Sequence, residues 1–259
     1  MTLTNNKKQL IKIYKSALNR VRAEFMRLQE RYGTNMSYGQ LQNLNRLSNL
    51  DKIINDEIKK LGSKTISITD NSIKTLYEEK YNEVVNKIPK EITETIGFGL
   101  IDKKAVEKSV DNTFKSVTLK NINNLQHEVN TEIAQGLIKG ESYEKISKKV
   151  TERFNVSANN ALRVINTETH KVVNKAAVDV YNKVKTSAEN LGYKIKKKWV
   201  SVKDNRTREL HAEMDGVYAD DDGNFKLPDG TVTQAPGLTG KAEHDIRCRC
   251  IFITEIIKN

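Results

Sequence analysis

The sequence predicts an α+β chain, mainly α-helical, with a small antiparallel β subdomain at its C-terminal end. Apolar residues recur every three or four positions through most of residues 1–190, the period of helices with one packed face. Only three prolines occur, Pro89, Pro228 and Pro236, so little stops a helix in the first 220 residues. After Gly192 the pattern changes to alternation in "YKIKKKWVSV", the period of a strand.

Residues 1–62 read as a helical hairpin. Leu10, Ile11, Tyr14, Leu18, Val21, Phe25 and Leu28 form one stripe, broken by "RYGTNMSYG" (Arg31–Gly39). The stripe resumes with Leu41, Leu44, Leu47, Leu50, Ile53 and Ile54 and stops at Leu61–Gly62. A second helix is expected over 70–95, with Asp70 as N-cap and Ile73, Leu76, Tyr77, Tyr81 and Val84 as its buried face. "GFGLIDKKAVEKSV" marks a turn. A helix from about Asp102 then runs through Leu125, Val129 and Ile133 to Gly140, carrying an isolated His127. "ESYEKISKKVTERFNVS" reads as a short helix ending before Asn155.

A long helix is expected over 159–190, closed by Gly192. Leu162, Ile165, Thr169, Val172, Ala176, Val180 and Val184 line its buried face. Beside them runs a polar stripe of Arg163, Thr167, His170 and Asn174, either a solvated edge or a contact face. In the strand, Tyr193, Ile195, Lys197 and Trp199 share one face, and Lys194, Lys196 and Lys198 share the other. "GVYADDDGNFKLPDG" reads as two short strands around an Asp-Gly turn, and "IRCRCIFITEII" as a final strand.

The 259 residues suffice for one large domain or two ordinary ones. Hydrophobic content of 37% against 30% charged predicts a modest core and well-solvated helices. A net charge of +11 suits contact with a polyanion, of which nucleic acid is the commonest, although positive charge also serves solubility alone. The sequence lacks an apolar run of about 18 residues, so no membrane span is expected. The opening "MTLTNNKKQL" lacks the apolar core of a signal peptide, so residence in a cytoplasm is expected. Two cysteines separated by one residue make neither a disulfide framework nor a good bridge with each other.

Chemistry-bearing residues crowd into two stretches. In "DNRTRELHAEMDG", Asp204 can cap a helix beginning at Asn205 that Gly216 ends, with Leu210 and Met214 on its buried edge. His211 and Asp215, at i and i+4, can hydrogen-bond each other as a general-base unit, a metal half-site or a structural pair. In "EHDIRCRC", a strand would turn Cys248 and Cys250 to one side. With His211 and His244 they complete a four-ligand nitrogen–sulfur set for zinc, or else they pack as core residues. Arg247 and Arg249 would point the other way. Beside the lysine strand they would extend a cationic face, making Lys194, Lys196, Lys198 and Arg249 candidate phosphate contacts. Few aromatics interleave these cations, so no base-reading element is expected.

One ordered set carries a family resemblance. Thr167-Glu168 and Asn174 lie on the long helix and Trp199 on the strand. Asp204, Arg206-Thr207-Arg208, His211 and Asp215-Gly216 follow, then Pro236 and Cys248-Arg249-Cys250. Over roughly residues 130–255 this resembles the Mu F-like head morphogenesis domain of phage minor head proteins. The chain departs at Asn166, where an arginine often precedes the Thr-Glu pair, and at Arg247, where asparagine usually precedes the first cysteine.

The resemblance implies a helical N-terminal arm over 1–125 and a head morphogenesis domain over 126–259, the latter comprising the 159–190 helix and a β subdomain over 193–259. It also implies a non-enzymatic minor head component that enters the procapsid in few copies. Such a protein is expected in the host cytoplasm during assembly and then inside the virion. Its expected partners are the portal protein, a scaffold or capsid protein, and double-stranded DNA bound without sequence preference, with no membrane. Asp204, Asp215 and Trp199 are then framework residues. The alternatives are a metal-dependent nuclease or toxin-like enzyme using His211, Asp215 and His244, and a basic helical protein with no phage role. Domains of this family can be fused to toxin modules; the short stretch after Cys250 is not expected to hold one. With or without zinc, His211 and the two cysteines are expected in one cluster that holds the C-terminal subdomain together.

Overall fold

The structure is a computed structural model that describes residues 3–33, 46–97, 101 and 103–258. Most of the "RYGTNMSYG" break, and Leu41 and Leu44 of the resumed stripe, lie outside the described residues, as do residues 98–100 and 102 of "GFGLID". The helices are α1 (Leu3–Tyr32), α2 (Arg46–Val85), α3 (Lys90–Thr95), α4 (Lys103–Ser109), α5 (Thr113–Ile138) and α6 (Tyr143–Asn190). After them come β1 (Tyr193–Val200), α7 (Glu209–Glu213), β2 (Phe225–Lys226), β3 (Val232–Thr233), α8 (Ala242–Asp245) and β4 (Ile251–Lys258). The chain is thus α+β and mainly helical. Among the described residues no helix is long and apolar enough to cross a membrane.

The chain packs as two units that interleave along the sequence, one from Met1–Asn71 with Asn112–Ile165 and the other from Ser72–Asp111 with Asn166–Asn259. Helices α2 and α6 supply residues to both. The boundary expected at 125/126 falls inside α5.

In the first unit, α1 buries Leu10, Tyr14, Ala17, Val21 and Phe25, steps of four and three that keep one face inward. The small Ala17 holds the centre of that face. Leu18 lies at its half-buried flank, and Ile11 is 37% exposed. Leu50, Ile54, Ile58 and Leu61 from α2, Leu125, Val129 and Ile133 from α5, and Ile146, Val150 and Phe154 from α6 complete this core.

Two expected helix ends do not occur. Helix α2 runs through Gly62 and Asp70, so Asp70 is not an N-cap. The missing side chain of Gly62 makes room for Ile122 of α5, whose Cγ2 lies 3.1 Å from where a Cβ would stand. Beyond it the Thr65 hydroxyl donates to the Leu61 carbonyl at 2.8 Å, satisfying a buried polar group within the helix. Helix α6 likewise continues through Asn155 for 48 residues. Its "NVSANN" stretch is held by partners. Ser157 Oγ lies 3.3 Å from Tyr14 Oη, its carbonyl accepts from Asn121 Nδ2 at 3.0 Å, and Asn160 Nδ2 donates to Asn121 Oδ1 at 3.3 Å.

In the second unit, β1 and β4 pair antiparallel over eight residues, from Tyr193 opposite Lys258 to Val200 opposite Ile251. Burial along β1 alternates as the sequence predicts, with Tyr193, Ile195, Lys197 and Trp199 inward. Tyr218 bridges to Lys198. The two short strands of the connection, Phe225–Lys226 and Val232–Thr233, flank the Asp229-Gly230 turn. Trp199, Met214, Phe225, Leu227, Cys248, Cys250 and Phe252 pack with Ala177 and Val178 of α6. Trp199 meets Phe225 edge-on, with ring centroids 5.3 Å apart. The C-terminal part of α2 contributes Tyr77, whose hydroxyl donates to Asp179 at 2.6 Å. The final strand begins only at Ile251, so the cysteines precede it.

Gly136 of α5 tests the packing of the first unit. A Cβ there would stand 2.4 Å from Ile146 Cγ1 and 2.8 Å from its Cδ1. Gly136→Ala is expected to destabilise the chain by about 1–3 kcal/mol through overpacking, despite the gain in helix propensity. In chemical denaturation, Gly136→Ala combined with Ile146→Ala should cost less than the sum of the two single changes.

Candidate functional site

His211 sits on α7, a helix of only five residues. Arg208, extended at φ −63° and ψ 145°, precedes it. Asp204 is therefore not its cap. Asp204 instead accepts from the Arg206 N–H at 3.0 Å and from both terminal nitrogens of Arg249, at 2.6 and 2.5 Å. The paired guanidinium holds the Asp204 carboxyl well below the usual carboxylate range. Asp215 lies beyond the end of α7, so the i,i+4 geometry expected for His211 and Asp215 does not form. Asp215 accepts from the Ser201 N–H at 2.9 Å and pairs with Lys203 at 3.3 Å.

His211 is 2% exposed and turns the other way. Its Nδ1 lies 3.7 Å from Cys248 Sγ and 3.7 Å from Cys250 Sγ. Its Nε2 lies 3.3 Å from His244 Nδ1, and the two rings stack 5.6 Å apart. His244 Nε2 in turn lies 2.9 Å from Asp229 Oδ2. The Thr231 N–H and hydroxyl, together with His244, lower the Asp229 carboxyl to about 2. Trp199 meets His211 edge-on at 5.7 Å. His211, Cys248 and Cys250 thus form a buried group whose donor atoms all lie within 4.8 Å of one another. His244, expected as a fourth member, stands behind His211 rather than beside the sulfurs.

The cysteines reach this group through a turn. Arg247 has φ +59°, the left-handed region that L side chains seldom adopt, alone among the described non-glycine residues. Cys250 is pulled below the usual thiol range chiefly by the Cys248 S–H, and Cys248 is pushed up by the same partner and by burial.

The polar stripe of α6 carries this turn. Thr167 Oγ1 accepts from the Arg247 N–H at 3.3 Å. The Asn174 amide nitrogen lies 2.8 Å from the Pro236 carbonyl, 3.1 Å from the Cys250 carbonyl and 3.1 Å from His170 Nε2. Burial lowers the His170 pKa. From Thr167 to Asn174 the stripe is thus a contact face for the protein's own C-terminal segment, while Arg163 is exposed and donates to Asn160.

The lysine face is less open than its sequence. Lys194 is exposed, but Lys196 and Lys198 are half-buried, with their ammonium groups 5.5 and 5.2 Å from the Tyr218 ring centre. Glu255 stands opposite Lys196, accepts from the Tyr218 hydroxyl at 2.8 Å and pairs with Lys198 at 3.7 Å. Arg249 is engaged by Asp204, so the expected cationic face across two strands reduces to the lysines.

Sequence reasoning missed the state of Lys197. It is 1% exposed, with its ammonium 4.9 Å from the Tyr181 ring centre, 5.3 Å from Phe252 and 5.6 Å from Phe225. It donates to the Gln234 carbonyl at 2.7 Å. Its position in the apolar register of β1 was the available signal.

Residues 127–253 match the family described as Phage Mu protein F like protein. That stretch, just under half of the chain, belongs to this family, and the chain as a whole is similar to phage minor head proteins. It is 28% identical over 260 aligned residues to Minor head protein GP7 of Bacillus phage SPP1, covering 97% of this chain and 82% of that protein. It is also 34% identical over 129 residues, half of this chain, to NAD(+)--arginine ADP-ribosyltransferase EFV of Enterococcus faecalis, of which the shared stretch spans 26%. No solved structure matches the chain.

Lys197 has a measurable signature. Burial lowers its ammonium to about 8 from an ordinary value of 10.5. Between these pH values the unfolded chain binds the extra proton, so this residue's contribution to stability rises with pH across that window. The unfolding free energy of the native chain minus that of Lys197→Met should be flat below pH 8 and climb from pH 8 to 10.5. Denaturant melts across this range check it; a difference independent of pH would place the ammonium in water.

Proposed function

We propose that the protein is a non-enzymatic component of the phage head that associates with the portal protein and the packaged double-stranded DNA during head assembly or DNA delivery. The observation that carries this reading is the similarity to Minor head protein GP7 over nearly the whole chain. The net charge of +11 supports residence among DNA. Scaffold or capsid protein is the further partner during assembly. The nuclease alternative loses support from the site: His211 and His244 are 2% and 3% exposed, and Asp215 is directed to Ser201 and Lys203.

Mass spectrometry of purified virions and procapsids tests the location. The protein is expected in both, at far fewer copies than the major capsid protein, and in complexes recovered with the portal. Its absence from procapsids would overturn the reading. The partial similarity to an ADP-ribosyltransferase sets a second arm. Purified protein incubated with labelled NAD+ and arginine-rich acceptors is expected to transfer nothing, and transfer above background would establish an enzyme.

DNA binding is expected to be indifferent to sequence and steeply salt-dependent, because neutralising phosphates releases counterions. Changing Lys194, Lys196 and Lys198 together to Glu should weaken binding equally for all sequences. It should also flatten the plot of log affinity against log salt by about 0.9 for each phosphate that is no longer neutralised. Glu255→Gln should strengthen binding modestly by unmasking Lys198. A salt-independent affinity, or a preference for one sequence, would contradict this.

A further inference from the structure

We propose that His211 Nδ1, Cys248 Sγ and Cys250 Sγ hold one divalent ion of the zinc class, which staples the C-terminal turn to the short helix α7. Asp229 is ionised and can only accept, so in a neutral ring His244 Nε2 carries the proton and Nδ1 is bare. His244 Nδ1 must then accept, which makes His211 Nε2 the donor across their 3.3 Å separation. That leaves His211 Nδ1 with a free lone pair aimed between two sulfurs. The tautomer of His211 is fixed from outside the cluster, as histidine ligands are commonly fixed by a carboxylate or carbonyl behind them.

The distances fit an ion better than a single hydrogen bond. One lone pair can accept from one S–H, yet both sulfurs stand 3.7 Å from the same nitrogen. In a tetrahedral zinc site, with Zn–S near 2.3 Å and Zn–N near 2.0–2.1 Å, ligand sulfur and nitrogen are about 3.6 Å apart. Two further features point the same way. The Trp199 indole nitrogen is buried without a hydrogen-bond partner, and the indole packs in one core cluster with Cys250, whose sulfur would accept from it as a bound thiolate. The left-handed Arg247 turns both sulfurs to one point, a strained conformation that a bound ion would help to maintain.

The three donors are 2–4% exposed, and among the described residues no fourth His, Cys or carboxylate joins them. The assignment is therefore three protein ligands, with water in the fourth position. His244 and Asp229 orient His211 without touching the ion.

The test uses the full chain, purified without chelator. Elemental analysis is expected to find about one zinc per chain, and chelation should lower the melting temperature. Cobalt(II) added to the stripped protein should give the intense thiolate-to-cobalt absorption and the visible bands of a tetrahedral site. This measurement needs no variant and so does not depend on whether a cysteine change folds. Cys248→Ser with Cys250→Ser should abolish both metal content and absorption. His244→Gln should keep the stoichiometry and weaken zinc binding by about 10–100-fold, as expected for an outer partner. Metal at background level together with no cobalt absorption would overturn the site. Loss of stoichiometry in His244→Gln equal to that in the double cysteine variant would overturn the three-ligand assignment.

Discussion

A backbone carbonyl buried away from water must find a donor, and for Cys250 that donor is Asn174. The second unit depends on this bond and its neighbours. Thr167 and Asn174 lie seven residues apart on one face of α6, and together they fix a turn that contributes no secondary-structure hydrogen bonds of its own to the sheet. With the turn seated, Cys248 and Cys250 face His211, and Arg249 falls where Asp204 can take both its terminal nitrogens. The Arg249–Asp204 pair then closes the loop between β1 and α7 over the turn. Each polar interaction is modest alone, but together they leave few buried polar groups unmatched at a place with little regular structure.

Much of the architecture was legible because it rests on periodicity. The alternation in "YKIKKKWVSV" gave both the strand and its inward face, including Lys197, because the pleat assigns sides regardless of residue chemistry. The α1 stripe was legible for the same reason, apart from the substitution of Ala17 for Leu18 at its centre. Helix ends were not legible. Gly62 and "NVSANN" look like breakers in isolation, and they stay helical because Ile122, Tyr14 and Asn121 meet them from elsewhere in the chain. Local propensity is a weak prior against such packing.

The site divides along the same line. His211 and the two cysteines belong together by residue type, and the structure brings them together. The partnership of His211 with Asp215 failed because it assumed a helix long enough to hold both, whereas α7 stops at Glu213. The connection through His244 to Asp229 joins three separate stretches, and no spacing rule encodes it. Arg247 is instructive. The family resemblance leads to an expectation of asparagine before the first cysteine, and asparagine tolerates a positive φ better than most residues. The departure at this position is therefore one of backbone comfort rather than of charge, and the turn keeps its left-handed form with arginine in place.

The interleaving of the two units has a consequence for synthesis. The first unit is complete in sequence once Ile165 has left the ribosome, so it can fold while the rest is still being made. The segment Ser72–Asp111 has emerged by then, but its companions, Asn166–Asn259, have not. Its apolar face of Ile73, Tyr77 and Tyr81 must wait uncovered, and β1 must wait longer for β4, the last strand translated. During that interval the nascent chain presents a sticky helix face and an unpaired strand edge, the two features that draw holding chaperones and misassembly. Closure of the ribbon by its final eight residues is what ends the exposure.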